Sequence, residues 1–244
     1  MDVKNKVVLV TGASAGIGLA AARLLAKNGA RLALNARSAD KLNRLAKELP
    51  GSAAFPADMA DESSVRQMIA HVYEKFGRLD VLVNNAGRGM RWPLETMAIG
   101  EYRKLLALNL IGPLVAMQAA IPIMRRQGGG AIVNISSGTA LMYAPGLGGY
   151  SATKRALDGL TLTARGELAE GGITVSVVYP YVTKTDFYRD WLAGKAERET
   201  TADDVTVGRP PADSVEYVAD LIIKAIYTGE AEIFAHEWMK NMMK

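Results

Sequence analysis

Short runs of Val, Ile and Leu recur along the chain at intervals that leave room for a helix between each run and the next. They are Val7 to Val10, Arg31 to Asn35, Val81 to Asn84, Ala131 to Ile135 and Thr174 to Val178. Continuous apolar runs of this length suit strands covered on both faces, and the segments between them carry apolar residues at helical spacing. The alternation predicts an α/β fold with a doubly wound parallel sheet and helices on both faces, three layers in all. Helices are expected over Ile17 to Lys27 before Asn28-Gly29, over Ala39 to Leu49 before Pro50-Gly51, and over Glu62 to Phe76 before Gly77. A long apolar helix is expected from Glu101 to Gln127, kinked or broken at Pro113 and Pro122, and another from Tyr150 to Ala169.

No repeat or linker divides the 244 residues, so a single domain over 1–244 is expected, with the charged, irregular stretch Asp186 to Pro211 inserted over a site. A net charge of +4, spread along the chain without a basic stripe, argues against a nucleic-acid partner. The absence of cysteine excludes disulfides, thiolate catalysis and cysteine metal sites, and fits a reducing, cytoplasmic setting. His71 and His236 have no further ligand at suitable spacing, so no metal is expected. Apolar runs are interrupted by charge or glycine short of the roughly 20 residues that cross a bilayer, so no membrane partner is expected, and the N-terminal run passes too soon into a glycine loop to read as an export signal.

That loop, Thr11-Gly12-Ala13-Ser14-Ala15-Gly16-Ile17-Gly18, stands between the first strand and the first helix. Small residues there let backbone N–H groups approach a pyrophosphate at a helix N-terminus, which makes Gly12, Ser14, Ala15, Gly16, Ile17 and Gly18 candidate contacts. A glycine cluster can also be an ordinary turn; its place at the first strand-to-helix crossing favours a nucleotide. The second strand ends in Leu34-Asn35-Ala36-Arg37-Ser38, with no acid to hold a ribose 2′-hydroxyl. Arg37 offers a planar cation suited to a 2′-phosphate, so NADP(H) is preferred, with NAD(H) the alternative coenzyme. Asp58, beside Met59, reads equally as an acceptor for the adenine amino group or as a helix cap.

Tyr150 and Lys154, four positions apart on an expected helix, share one face. A phenol with a reference pKa near 10 is a poor acid/base at neutral pH, but an adjacent cation lowers such a pKa by about 1–3 units. Taken alone, the pair is more often a half-exposed helix face than a catalytic pair.

Together with the glycine loop, Asn84-Asn85-Ala86-Gly87, Asn109, and Ser137 thirteen positions before Tyr150, the pair resembles the single-domain short-chain dehydrogenase/reductases in order and spacing over most of the chain. The resemblance implies a Rossmann-type fold and hydride transfer between a nicotinamide coenzyme and a small-molecule carbonyl or alcohol. Tyr150 would be the general acid/base, Ser137 would hold the substrate oxygen, Lys154 would lower the Tyr150 pKa and bind the nicotinamide ribose, and Asn109 would hold a water in a proton relay. It also implies coenzyme contacts at Asn85, Ala86 and Gly87, and at Pro180, Thr183 and Thr185 in the loop under the nicotinamide. In that loop Tyr181 replaces the usual glycine, so a positive φ would be strained or the loop runs differently. Position 15, often basic in NADP-preferring relatives, is alanine, which leaves the phosphate preference to Arg37.

The substrate is expected to face Arg88 to Trp92, Thr139 to Leu147 and the insertion, where Met90, Trp92, Met142, Tyr143, Tyr181, Phe187, Tyr188 and Trp191 could form an apolar pocket or pack a lid. The helices from Glu101 and from Tyr150 carry apolar residues beyond one buried face, consistent with a homodimer or homotetramer, as the resemblance also implies. The tail from Glu237 to Lys244 would cross to a neighbour or fray. The competing reading is a dinucleotide-binding regulatory or scaffold protein without turnover; the complete Asn-Ser-Tyr-Lys set weighs against it.

Overall fold

The computed structural model describes residues 1–185, 187, 192–193 and 210–242. Seven parallel strands form one sheet. In chain order its elements are β1 (Val7–Thr11), α1 (Gly16–Lys27), β2 (Arg31–Asn35), α2 (Ala39–Glu48), β3 (Ala53–Ala54), α3 (Glu62–Phe76) and β4 (Val81–Asn84). There follow β5 (Met90–Arg91), α4 (Ile99–Leu106), α5 (Gly112–Arg126), β6 (Gly130–Ile135), α6 (Gly148–Leu168), β7 (Ile173–Tyr179), β8 (Leu192–Ala193), α7 (Val215–Thr228) and β9 (Glu232–Phe234). The large sheet has the order β3-β2-β1-β4-β6-β7-β9. The chain winds outward from β1 through β2 to β3, then returns to the other side of β1 with β4. The strand order therefore reverses between β1 and β4, and the crevice beyond their carboxyl ends is where doubly wound sheets bind nucleotides.

Alternation along each strand feeds two cores. Val8 and Val10, with Leu32, Leu34, Val81 and Val83, face α1, α2 and α7. Val7 and Leu9, with Ala33, Leu82, Ile132 and Val175, face α3 and α5. Because both faces are covered, the strands need apolar side chains at every position, which is why they read as continuous runs. The helix ends follow local rules: the Asp61 side chain accepts from Ser63 N (2.8 Å) and Ser64 N (3.1 Å) to start α3, and Gly77 at φ 73° closes it.

The long helix does not break at its prolines. It runs from Ile99 to Arg126, with a π-helical segment at Ala107–Ile111 immediately before Pro113. Proline has no N–H, so Pro113 cannot donate to the carbonyl four residues earlier, that of Asn109. The wider turn absorbs that loss without a break, placing the irregularity on Asn109 itself. At 28 residues, with an 18-residue stretch of mean hydropathy 1.7, this helix is by length and composition long enough to cross a bilayer, contrary to the sequence expectation. Its inward residues Val115, Ala116, Ala120, Ile123 and Met124 belong to the core against the sheet, which accounts for much of that apolarity.

Of the expected insertion over 186–211, Phe187, the backbone of 192–193 and residues 210–211 are described; the remainder lies outside the described residues. β8 pairs in parallel with β5, Met90 opposite Leu192 and Arg91 opposite Ala193, which returns this segment to the loop after β4.

Candidate active site

Beyond the carboxyl ends of β1 and β4 lies a cleft of about 1060 Å³. Its lining includes Gly12, Ala15, Gly16 and Ile17 of the glycine loop, Asn85, Ala86 and Gly87 after β4, Ser137, Tyr150 and Lys154, and Pro180, Thr183 and Thr185 after β7. Gly12 and Gly16 adopt positive φ (68° and 54°), so the backbone needs glycine there. Ala15 begins α1 in extended conformation without a side-chain cap, and the first turn holds no acid. Among the described residues its N–H groups have no competing side-chain acceptor, which leaves the positive end of the helix dipole for an anion. Thr11 ties the loop to the end of β4: its Oγ1 accepts from Asn85 N (2.9 Å) and Ala86 N (3.0 Å), and Asn85 Nδ2 donates to Thr11 O (2.9 Å). Asn84 itself is structural, donating from Nδ2 to Asn134 Oδ1 (2.8 Å) in the buried layer.

Gly18 serves packing. It is buried outside the cleft, and a Cβ there would overlap the Gly12 carbonyl oxygen and press on the Asn85 amide. Gly18→Ala is expected to cost about 1–3 kcal/mol, seen as a lowered midpoint of thermal unfolding. An unchanged midpoint would mean that the loop yields freely. Ser14 is half-buried and also does not line the cleft. Arg37, Asp58 and Met59 lie outside it too. Arg37 is exposed just beyond β2 and makes no ion pair among the described residues. Asp58 is exposed and accepts from Ala60 N (2.9 Å); the cap of α3 is Asp61, which removes the capping alternative for Asp58. Met59 is buried, its carbonyl pressed against Gly112.

Tyr150 and Lys154, each only 5% exposed, do share one face of α6, with Lys154 Nζ 6.0 Å from the Tyr150 ring centroid. Nζ donates to the Ile135 carbonyl at the end of β6 (2.8 Å). Burial lowers the Lys154 pKa to about 8, and the charge of Asp158 one turn on opposes that shift. Ser137 caps the 3₁₀ turn Gly138–Leu141, its Oγ accepting from Thr139 N (3.2 Å) and Thr139 Oγ1 (3.0 Å). With acceptor sites so used, its own proton is left to give.

Asn109 is fully buried and its side chain is consumed by its neighbours. Oδ1 accepts from Arg88 N (2.9 Å), while Nδ2 donates to Arg88 O (2.9 Å) and Thr153 Oγ1 (3.3 Å). Gly87 lies between Asn109 and Lys154: a Cβ there would be 3.3 Å from Asn109 Oδ1 and 3.6 Å from Lys154 Nζ. Pro113 removes the α-helical donor to the Asn109 backbone carbonyl, and the π segment is centred on that residue.

A second cavity, about 280 Å³, opens beside the first. Ser137 and Tyr150 line both; Lys154 lines only the larger. Met142, Tyr181 and Phe187 face it as the sequence suggests, and Tyr188 and Trp191 lie outside the described residues. Met90 and Trp92 instead pack with Tyr150 and Leu105, and Tyr143 is 88% exposed beneath the Arg155 guanidinium (4.3 Å). Tyr181 does not take a positive φ, so the loop accommodates it without strain. Its ring meets Trp238 edge-on at 5.3 Å and its hydroxyl donates to Pro210 O (3.3 Å).

Three features escaped the sequence. Trp238 and Met242 of the tail line the small cavity instead of fraying. His236, stacked on Trp238 at 5.7 Å, has a carboxylate partner after all, in Asp213 (3.1 Å), 23 residues away. Among the described residues no group of acidic or histidine side chains could hold a metal. Asp158, the third of a row with Tyr150 and Lys154 at four-residue spacing, is a half-buried carboxylate near Ser136. Neither Asp158 Oδ1 nor Ser136 Oγ makes a hydrogen bond of ordinary geometry.

Comparison with known proteins agrees with this architecture. Residues 6–196 match the family model for short chain dehydrogenases. Over 243 residues the chain is 33% identical to a D-beta-hydroxybutyrate dehydrogenase of Rhizobium meliloti, covering 94% of each protein. A 3-ketoacyl-(acyl-carrier-protein) reductase from Brucella melitensis, solved with NADH, superposes with a TM-score of 0.85 at 26% identity over 95% of this chain and 97% of that one. A blue fluorescent protein from a metagenomic library, solved with NADPH, gives 0.83 at 33% identity over 96% and 97%.

Proposed function

The chain belongs to the short-chain dehydrogenase family, and we propose that it is an NADP(H)-dependent oxidoreductase interconverting a carbonyl and an alcohol. The observation that carries this reading is that Ser137 and Tyr150 stand on the wall shared by the two cavities, with Lys154 behind them on the side of the larger. A reacting carbon in the small cavity and a dinucleotide in the large one would meet there.

The residues present fit such a coenzyme. A Cβ on Gly16 would come within 3.3 Å of Thr185 Cγ2, so the loop and Thr185 approach closely there, and the uncapped start of α1 suits a pyrophosphate. Gly12, Ala15, Gly16 and Ile17 would hold the phosphates, Asn85, Ala86 and Gly87 the middle of the molecule, and Pro180, Thr183 and Thr185 the nicotinamide end. When bound, the coenzyme supplies or receives the hydride. Relatives of this fold have been solved with NADH and with NADPH, so the preference rests on Arg37, the cation beyond β2 where no acid stands.

Ser137 donates to the substrate oxygen and steadies the charge that develops on it. Tyr150 gives that oxygen a proton in reduction and takes it back in oxidation. Lys154, charged below about pH 8, holds the phenol's pKa down and would bind the nicotinamide ribose. Asn109 offers its carbonyl to a relay water that restores the proton through Lys154. Ile99 on α4 and Leu162 on α6 are exposed apolar side chains, which supports assembly into a homodimer or homotetramer.

Arg37→Ala tests the coenzyme assignment. Loss of one charge-assisted contact worth about 1.5 kcal/mol or more predicts at least about tenfold weaker NADPH binding and unchanged NADH binding, followed by nicotinamide fluorescence. Equal effects on both coenzymes would reject Arg37 as the phosphate reader.

A further inference from the structure

We propose that the physiological substrate is a neutral, predominantly apolar ketone or aldehyde, and that Tyr181 and Trp238 set this specificity; the proposal deepens the carbonyl-reductase reading above and rests on it. The small cavity is polar at one end, at Ser137, Thr139 and Tyr150, and apolar over the remainder, where Met142, Leu147, Tyr181, Phe187, Trp238 and Met242 lie. At about 280 Å³ it is near the lower end of the ~300–1,000 Å³ usual for small-molecule sites, so its occupant is small. Among the described residues that line it, none carries a charge.

Two charged groups near the cavity are committed elsewhere, and Lys184 lines the larger cleft and not this one. Arg155 donates from Nε to Ala140 O (2.6 Å) and from Nη2 to Met142 O (3.3 Å), and its guanidinium lies over the exposed Tyr143 ring. His236 sits behind Tyr181 and Trp238, with both Asp213 carboxylate oxygens 3.1 Å from Nε2. A substrate carboxylate in this cavity would lose water and gain no cation among the described residues that line it, which is the costly case of burial. Here the chain parts from the relative whose named substrate, a hydroxybutyrate, carries a carboxylate. The aromatic wall is fixed in place: Tyr181 is held by Trp238, by His236 at 5.8 Å and by its hydrogen bond to Pro210 O. An apolar body lies against that wall while its one carbonyl reaches Ser137 and Tyr150.

The test uses a pair of ketones that differ chiefly in charge, methyl benzoylformate and benzoylformate. In each, the keto carbon accepts a hydride from the reduced coenzyme and its oxygen a proton from Tyr150, giving the 2-hydroxy product and oxidised coenzyme. Both are assayed for turnover with NADPH and NADH, and for binding to the protein–coenzyme complex by calorimetry. The ester should exceed the acid by at least about 10²-fold in kcat/KM and in affinity. Trp238→Ala should raise KM for the ester about tenfold with coenzyme affinity unchanged, and Met142→Arg should narrow the ester-to-acid ratio at least about tenfold by improving the acid. Equal or better use of the acid overturns the proposal, as does failure of both probes to bind while coenzyme binds. If the ester binds selectively and neither probe turns over, the substrate preference stands and the oxidoreductase reading falls.

Discussion

Replacing Tyr150 by Phe is expected to lower kcat/KM for carbonyl reduction by about 10²- to 10⁴-fold, the usual worth of a general acid, while leaving coenzyme binding intact. The substitution removes one oxygen from a ring held between Met90, Leu105 and Phe187, so the packing of α6 survives it. On the proposed mechanism Ser137 would still hold the substrate oxygen, but nothing would deliver a proton as the hydride arrives. The pH profile adds a second check. Reduction needs a protonated phenol, and Lys154 assists while charged, which it is below about pH 8. The rate should therefore fall as pH rises through about 8, and because phenol and amine titrate together, the limb reports the pair. A Tyr150→Phe enzyme that keeps more than a tenth of the activity would require another proton donor.

The strands of the central sheet were legible because each is buried on two faces, so hydrophobicity alone marks them. The same signal fails at the edges. β3 has two residues and β9 three, paired on one side only, and runs so short carry no pattern. α7 is a different case: Ser214 caps it, Gly229 at φ 66° ends it, and its apolar stripe was readable, yet its place beyond the irregular stretch hid its role against α1. Pro113 was rightly suspected of disturbing the long helix, but the disturbance takes the form of a π segment of five residues and not of a break.

At the site, spacing made legible what lies on one helix or one loop. Tyr150 and Lys154 are linked by helical geometry, and the glycine loop by its crossing. Contacts between distant segments were not. Trp238 and Met242 reach the small cavity only because β9 carries the chain back beside β7, and the Asp213–His236 pair joins segments that no local rule connects. Of the two readings of Tyr181, strain or a loop that runs differently, the second holds: the loop takes no positive φ there, and Tyr181 becomes a wall of the cavity.

Asp158→Asn should stabilise the protein by about 2–3 kcal/mol at pH 7–8, and the gain should vanish in acid. Burial raises the Asp158 pKa from 3.8 to about 6, against the opposing pull of Ser136, Lys154 and Arg155; Glu232, on the neighbouring strand, adds to the rise. A carboxyl group with a raised folded-state pKa binds more protons in the native than in the unfolded chain between those two values, so its ionisation weakens the fold as pH climbs from about 4 to 6 and costs the full amount above. At about 1.4 kcal/mol per unit the shift corresponds to about 3 kcal/mol, reduced somewhat by partial exposure. Asparagine fills the same space without the charge. Denaturant titrations of both forms at pH 4, 6 and 8 should show the difference opening across that window; a difference that is flat in pH would place the Asp158 pKa near its ordinary value. The same charge acts on Lys154, whose pKa it raises against the effect of burial. Without it, the Lys154 pKa falls below about 8, and the alkaline limb of reduction should move to lower pH in the stabilised variant. Stability and activity then respond in opposite directions to one carboxylate, which ties the third residue of the row to the chemistry of the first two.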